Sequence, residues 1–238
     1  GKPFPKENVG RIRYTGFENN ISWQNRAGAH NYFVSANISA LKSRILYQDE
    51  VFQKYSYQRS TGRPVGQLFG YISEGFYQSE NEIENSPRME GYNPVPGDLR
   101  YKDLNDDGII NNYDRTAIGT QKPLIYYGFR TGFAVKGFDL SVSFQGVSNR
   151  DILLSGDLEY EFLNSGNNQA FEHHLQRWPP QNADNASYPR LSLASNANRE
   201  NSTYWIRPAD YLRLQNVDLG YTLPASLTRK FRVNGIRV

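Results

Sequence analysis

The chain has 238 residues, of which 38% are hydrophobic and 14% aromatic, and it carries a formal net charge of +3. It is long enough for one large domain, yet no run of about 18 apolar residues occurs, which excludes a transmembrane helix but not a membrane barrel, whose lipid face needs an apolar residue only at every second position. The absence of cysteine removes disulfides and thiolate metal sites, and lysines and arginines scattered without a basic stripe give nucleic-acid binding no support.

The opening segment GKPFPKENVGRIRY has no apolar stretch, so no signal peptide is expected and the chain starts like the middle of a longer protein. From Ile12 to Gln24 the residues alternate, with Phe17, Ile21 and Trp23 on one face and Glu18, Asn20, Ser22 and Gln24 on the other. Asn25-Arg26-Ala27-Gly28 supplies a turn. A partner strand follows, with Tyr32, Val34, Ala36, Ile38 and Ala40 opposing Ser35, Asn37 and Ser39.

After Ile45 the periodicity lapses for about seventy-five residues, which predicts a long functional loop over 46–122. Its ordered parts are expected at Gln67 to Tyr77, as a short aromatic strand pair, and at a helical turn near Glu80 to Glu84.

Residues 123 to 147 form the clearest pattern, two strands joined by a tight turn at Lys136-Gly137. Tyr127, Phe129, Thr131, Phe133 and Val135 share one face, with Gly128, Arg130, Gly132, Ala134 and Lys136 on the other; Phe138, Leu140, Val142 and Phe144 oppose Asp139, Ser141, Ser143 and Gln145. An aromatic-rich face backed by a small or charged one suits a membrane barrel wall with a watery lumen.

A second long loop is expected over 148–203, containing Trp178-Pro179-Pro180. Strand character returns from Tyr204 to Leu223, where Leu212 and Leu214 lie on the opposite parity from Val217, Leu219 and Tyr221, which predicts a bulge near Gln215-Asn216. The turn TLPASLTRKF leads to a terminal strand at Val233 to Val238. These are six principal strands with short and long links in alternation, the layout of an outer-membrane barrel with periplasmic turns and extracellular loops. An open sheet of that size has unpaired edges that cost several kcal/mol per peptide group in lipid. The piece therefore needs further strands of its own chain or a soluble fold such as a sandwich.

The strongest short motif runs from Asp103 to Asp114, DLNDDGIINNYD, and fits a twelve-position calcium loop. Asp103, Asn105, Asp107 and Asp114 supply side-chain oxygens, the Ile109 carbonyl takes the seventh position, Asn111 acts through water, and Gly108 allows the sharp turn. Aspartate rather than glutamate at the last position shortens the reach and moves the affinity toward about 10⁻⁴ to 10⁻³ M. The bland counterpart is a solvated Asp/Asn/Gly turn that binds nothing.

PGDLRYKDLNDDGIINNYDRTAIGTQKPLIYYGFRTGFAVKGFDLSVSFQG resembles the C-terminal part of the SusC/RagA family of TonB-linked outer-membrane proteins, and GQLFGYISEGFYQSENEI, RWPPQNADNASYPRL, YLRLQNVDLGYTLP and NGIRV extend the match in the family's order. The resemblance implies an all-β fold, an antiparallel transmembrane β-barrel segment within a barrel of about 22 strands. It implies import of oligosaccharides, peptides or other large nutrients across the cell outer membrane of Bacteroidota, energised by TonB, with a SusD-like surface lipoprotein as lid. The calcium loop belongs to the same pattern, with Asn111-Asn112 in place of the more usual acidic residues. Plug, TonB-contact segment and final closing strand are missing, so the chain is expected not to transport alone.

Catalysis finds little support. Glu159 and Glu161 share a side of an extended segment as a glycosidase pair would, and His173-His174 stand beside Glu172, but adjacent histidines point apart in an extended chain. No enzyme is expected. Tyr71, Phe76, Tyr77, Tyr92 and Trp178 either stack on sugar rings and meet the lid or pack the loops into caps, and Arg130, Lys136, Asp139 and Gln145 face the lumen, where they line any hydrated wall. The rival to the transporter is a secreted soluble β-rich carbohydrate-binding module with a dockerin-like calcium turn.

Overall fold

The computed structural model describes residues 9–178, 185–229, 232, 233 and 235–238. In chain order its strands are β1 (Gly10–Ala27), β2 (His30–Gln48), β3 (Gln67–Gly70), β4 (Ser73–Phe76), β5 (Arg88–Met89), β6 (Leu99–Tyr101) and β7 (Ile109–Ile110). Then come β8 (Thr116–Thr120), β9 (Ile125–Val135), β10 (Phe138–Ser148), β11 (Asp151–Leu153), β12 (Ile206–Pro208) and β13 (Tyr211–Tyr221); the helix α1 (Glu80–Glu84) lies between β4 and β5. The chain divides into two compact units, a sheet unit of residues 14–43, 122–150 and 209–238 and a loop unit of 9–13, 44–121 and 151–208.

The sheet has the order β1-β2-β9-β10-β13. Lys136 and Gly137, at φ +48° and +90°, form the two-residue turn between β9 and β10, a conformation whose twist matches that of the strands it joins. Lys136 therefore sits in the turn, not on the polar face of the strand. Across the sheet Phe133 opposes both Leu140 and Tyr32, and Phe129 opposes Phe144 and Ala36, so the apolar residues of three strands meet on one side. Arg130 opposes Ser143 and Ser35 on the other.

The apolar side is left open: Phe129 is 41% exposed, Phe133 44%, Leu140 43% and Leu219 74%. A soluble sandwich would bury these residues under a second sheet. The register of β10 on β13 shifts after Ser143, so that Val142 meets Val217 while Phe144 meets Leu214. The extra residue returns Leu214 and Leu212 to the apolar side, which is the bulge expected near Gln215-Asn216. Beyond β13, among the described residues, the end of the expected terminal strand pairs: Thr222 bridges Arg237, Leu223 N–H donates to Ile236 O at 2.9 Å, and Tyr221 and Val238 exchange backbone hydrogen bonds of 2.7 and 3.0 Å. Residue 234, within that expected strand, lies outside the described residues, as do 179–184 of the expected RWPPQNADNASYPRL match.

In the loop unit α1 forms where the sequence predicts a helical turn, because the Ser79 hydroxyl accepts the Glu82 N–H at 3.2 Å and Glu82 reaches back to the Gln78 N–H at 2.7 Å. The strand pair expected within Gln67 to Tyr77 does not form. β3 pairs with β8 and β4 with β6 instead. The link between β3 and β4 is held extended, with Tyr71 N–H donating to Asn201 O at 2.8 Å and Thr203 N–H to Tyr71 O at 2.9 Å, so the two strands cannot fold back on each other. Likewise the strand expected from Tyr204 is split: Thr203–Trp205 is a 3-10 turn, β12 pairs with β11, and β13 begins at Tyr211.

Two apolar clusters form the core, Tyr71, Leu99, Tyr101, Ile110 and Ala197 in one and Tyr160, Tyr188 and Trp205 in the other. The first draws residues from both long interruptions of the strand pattern. A polar lock joins the same two stretches. Asp98, 1% exposed, pairs with Arg190 at 2.6 Å and accepts from Tyr92 Oη at 2.7 Å, Val95 N at 2.9 Å and Asn198 Nδ2 at 3.0 Å. Asn198 in turn accepts the Leu99 N–H at 2.7 Å.

Candidate functional site

The 103–114 segment wraps on itself as alternating acidic and amide side chains in a tight loop allow. Asp103 Oδ1 accepts the N–H of Asn105 and Asp106 at 3.2 and 2.7 Å, and its Oδ2 accepts that of Gly108 at 2.7 Å. Asn105 accepts the Asp107 N–H, Asp107 that of Ile109, and Asn111 that of Tyr113, at 3.1, 3.0 and 2.8 Å. Asp114, fully buried, accepts Leu104 N and Asn111 N, each at 2.8 Å, and so closes the loop's two ends together. Gly108 stands at φ +82°, a conformation a side chain would strain.

The loop is anchored on both sides. Ile110, 1% exposed, plugs into the core, while Tyr57 Oη and Gln58 Nε2 each donate at 2.8 Å to the carbonyls of Tyr113 and Asn112. Burial opposes ionisation of Asp103, but the donated N–H groups outweigh it and hold its carboxyl below the ordinary value. Burial raises Asp114, with repulsion from Asp103 and Asp107 added. Tyr57 is pushed up to about 12 by burial and by the same three carboxylates. The donors are all hard oxygens, as calcium prefers. Among the described residues, however, no three acidic or imidazole side chains converge in ligating geometry.

Of the candidate catalytic groups, Glu161 and His174 are engaged in holding the fold. Glu161, 3% exposed, accepts from Tyr188 Oη at 2.9 Å and Ser192 N at 3.1 Å and pairs with Arg199 at 3.6 Å. His173 and His174 do not point apart: they lie in the 3-10 turn Glu172–Gln176 with ring centroids 4.0 Å apart. His174 is buried, its Nδ1 accepting the Phe171 N–H at 2.8 Å and its Nε2 3.0 Å from Glu159 O, which leaves no ring nitrogen for a metal. Of the loop aromatics, Tyr71, Tyr77 and Trp178 are buried, and Phe76 and Tyr92 pack against the core. They hold the loop unit together rather than offering ring faces to a ligand.

On the polar side of the sheet, Asp139 is held by Arg237 through bonds of 3.0 and 2.5 Å, and Ser141 reaches Asp218 at 3.3 Å. Arg130 lies over the Phe33 ring at 5.4 Å. The bonds from Asp98 to Arg190 and Asn198 and these polar ladders have no local motif; their partners stand tens of residues apart.

No family model matches the chain. The TonB-dependent receptor P3 of Formosa agariphila is 29% identical over 245 residues, covering 98% of this chain and 24% of that protein. TonB-dependent receptor P26 of the same organism is 25% identical, over 97% of this chain and 24% of its own length. A structure of the RagAB peptide transporter superposes with a TM-score of 0.71 at 19% identity, covering 96% of this chain and 24% of that one. The RagAB peptide importer in its open-open state gives 0.66 at 21% identity, over 96% and 24%. Over nearly its whole length the chain is similar to TonB-dependent receptors, and its fold is that of the matching part of the RagAB structures.

The chain spans 24% of the length of the curated relatives it matches. Its five-stranded sheet is a stretch of transmembrane barrel wall, and its place is the outer membrane. The relatives are receptors and transporters by name, not enzymes.

Proposed function

We propose that the receptor to which this segment belongs imports large nutrients, oligosaccharides or peptides, with energy delivered by TonB and a SusD-like surface lipoprotein as lid. The observation that carries this reading is the sheet itself, with Phe129, Phe133, Leu140 and Leu219 turned to lipid and a hydrated face of serine, asparagine, glutamine and paired charges behind them. In this reading 46–122 and 148–203 are extracellular, and the full chain supplies the plug and the remaining strands. Uptake of labelled oligosaccharide and peptide mixtures by cells carrying the full-length receptor tests it. Uptake should vanish when the receptor or TonB is deleted, and uptake indifferent to TonB would remove the proposal.

We also propose that calcium fills the 103–114 loop, held by Asp103, Asn105, Asp107, the Ile109 carbonyl, Asn111 and Asp114, with a purely structural role. The turn at Gly108 and the all-oxygen set of side chains along the loop support it. At roughly 10 mM calcium and the expected affinity of about 10⁻⁴ to 10⁻³ M, occupancy would stabilise the loop by about 1.4 to 2.7 kcal/mol. Chelator should accordingly speed proteolysis of the full-length receptor at this loop, and Asp103→Ala with Asp107→Ala should abolish the difference. Identical cleavage rates with calcium and with chelator in the unmodified receptor would refute it.

A further inference from the structure

Arg130 has no side-chain neighbour along its own strand on the polar face, because Gly128 and Gly132 flank it at the same-face positions. Partners on β2 use the room that these glycines leave. The Phe33 ring crosses Gly132, and Asn37 crosses Gly128, so that a Cβ at either glycine would collide. The guanidinium lies over Phe33 at 5.4 Å, between two adjoining hollows of about 810 and 780 Å³ that it helps to line.

In the second hollow Arg130 is the single charged residue of the lining, among Ser35, Asn37, Ser143, Gln145 and Asn216. The carboxylates of this face have other partners: Asp139 holds Arg237, Asp218 takes Ser141 and Asn216, and Glu18 takes Ser39. Among the described residues none forms an ion pair with Arg130. An exposed guanidinium set over an aromatic ring, with no ion-pair partner among the described residues and with neutral amides and hydroxyls around it, is complementary to a ligand that is mostly uncharged and polar but carries one anionic oxygen group.

We propose that Arg130 is a specificity-determining residue that receives a carboxylate of the solute as it passes the barrel wall, while the neighbouring amides and hydroxyls hold the uncharged remainder. This rests on the importer reading. An acidic side chain from another part of the receptor is the rival occupant, and charge selectivity separates the two.

The test uses the full-length receptor in its own outer membrane with Arg130→Gln and Arg130→Lys. The probes are short labelled peptides with a free or an amidated C-terminus, and neutral or uronate-ended oligosaccharides of equal length. Arg130→Gln should lower uptake of the anionic probes by about tenfold to a hundredfold, the size of a lost charge-assisted hydrogen bond, and leave the neutral ones within about twofold. Arg130→Lys should keep most of the preference. Equal loss of anionic and neutral probes would assign Arg130 to an internal acidic partner and overturn the inference, as would no change at all. An unmodified receptor that takes up no probe in a TonB-dependent way would instead count against the importer reading itself.

Discussion

Asp98→Ala is expected to destabilise the loop unit by about 3–5 kcal/mol, the range for removing one partner of a buried ion pair. Asp98 is 1% exposed, and its two oxygens take up Arg190, Tyr92, the Val95 N–H and Asn198. Deleting it leaves the Arg190 charge without its counterpart and a backbone donor without an acceptor, which is costlier than the loss of the bonds themselves. The same side chain ties residues 92–98 to 190–198, so the damage should not stay local. Hydrogen exchange in the full-length receptor should accelerate in both stretches together while the strands β9 and β10 keep their protection. Asp98→Asn keeps the shape and most acceptors and should lie between the variant and the unmodified protein. A loss below about 1 kcal/mol for the alanine would mean that water or a neighbouring carboxylate replaces Asp98.

How much of this was readable from the residues depends on the distance over which each feature is specified. The hairpin of β9 and β10 is legible because every second residue repeats the same instruction and the turn residues are adjacent to it. The bulge is legible for the same reason: Leu214 and Val217 differ in parity, and only an extra residue reconciles them with one apolar face. The 103–114 loop closes within itself, so its hydrogen bonds follow from local spacing. The loop unit is another matter. β3 and β8 are short and pair across some fifty intervening residues, and short segments carry too little periodicity to name a partner. Asp98 and Arg190 are 92 positions apart, and nothing beside either residue announces the other. His173 and His174 differ from the expectation of an extended chain because a 3-10 turn forms there, which brings neighbouring rings to the same side.

Leu140→Arg should be far more damaging than Ser141→Arg, although the two residues are neighbours on one strand. Leu140 lies between Phe133 on β9 and Leu219 on β13, with all three exposed on the apolar side. Ser141 lies between Gly132 and Asp218 on the wet side, where an added guanidinium meets water and a carboxylate. An arginine toward lipid costs about 2–4 kcal/mol near the bilayer midplane and less toward its edges, so the difference between the two variants also reports the depth of this point in the membrane. A second substitution, Phe129→Lys, is separated from Leu140 along the sheet and should add to it rather than overlap. The readout is the yield of folded, heat-modifiable full-length receptor in the outer membrane: reduced for Leu140→Arg, lower again for the double variant, and close to normal for Ser141→Arg. Equal yields for the two single variants would show that the apolar face meets water rather than hydrocarbon, since an apolar surrounding penalises a charge on that face while the wet face accepts it one residue away.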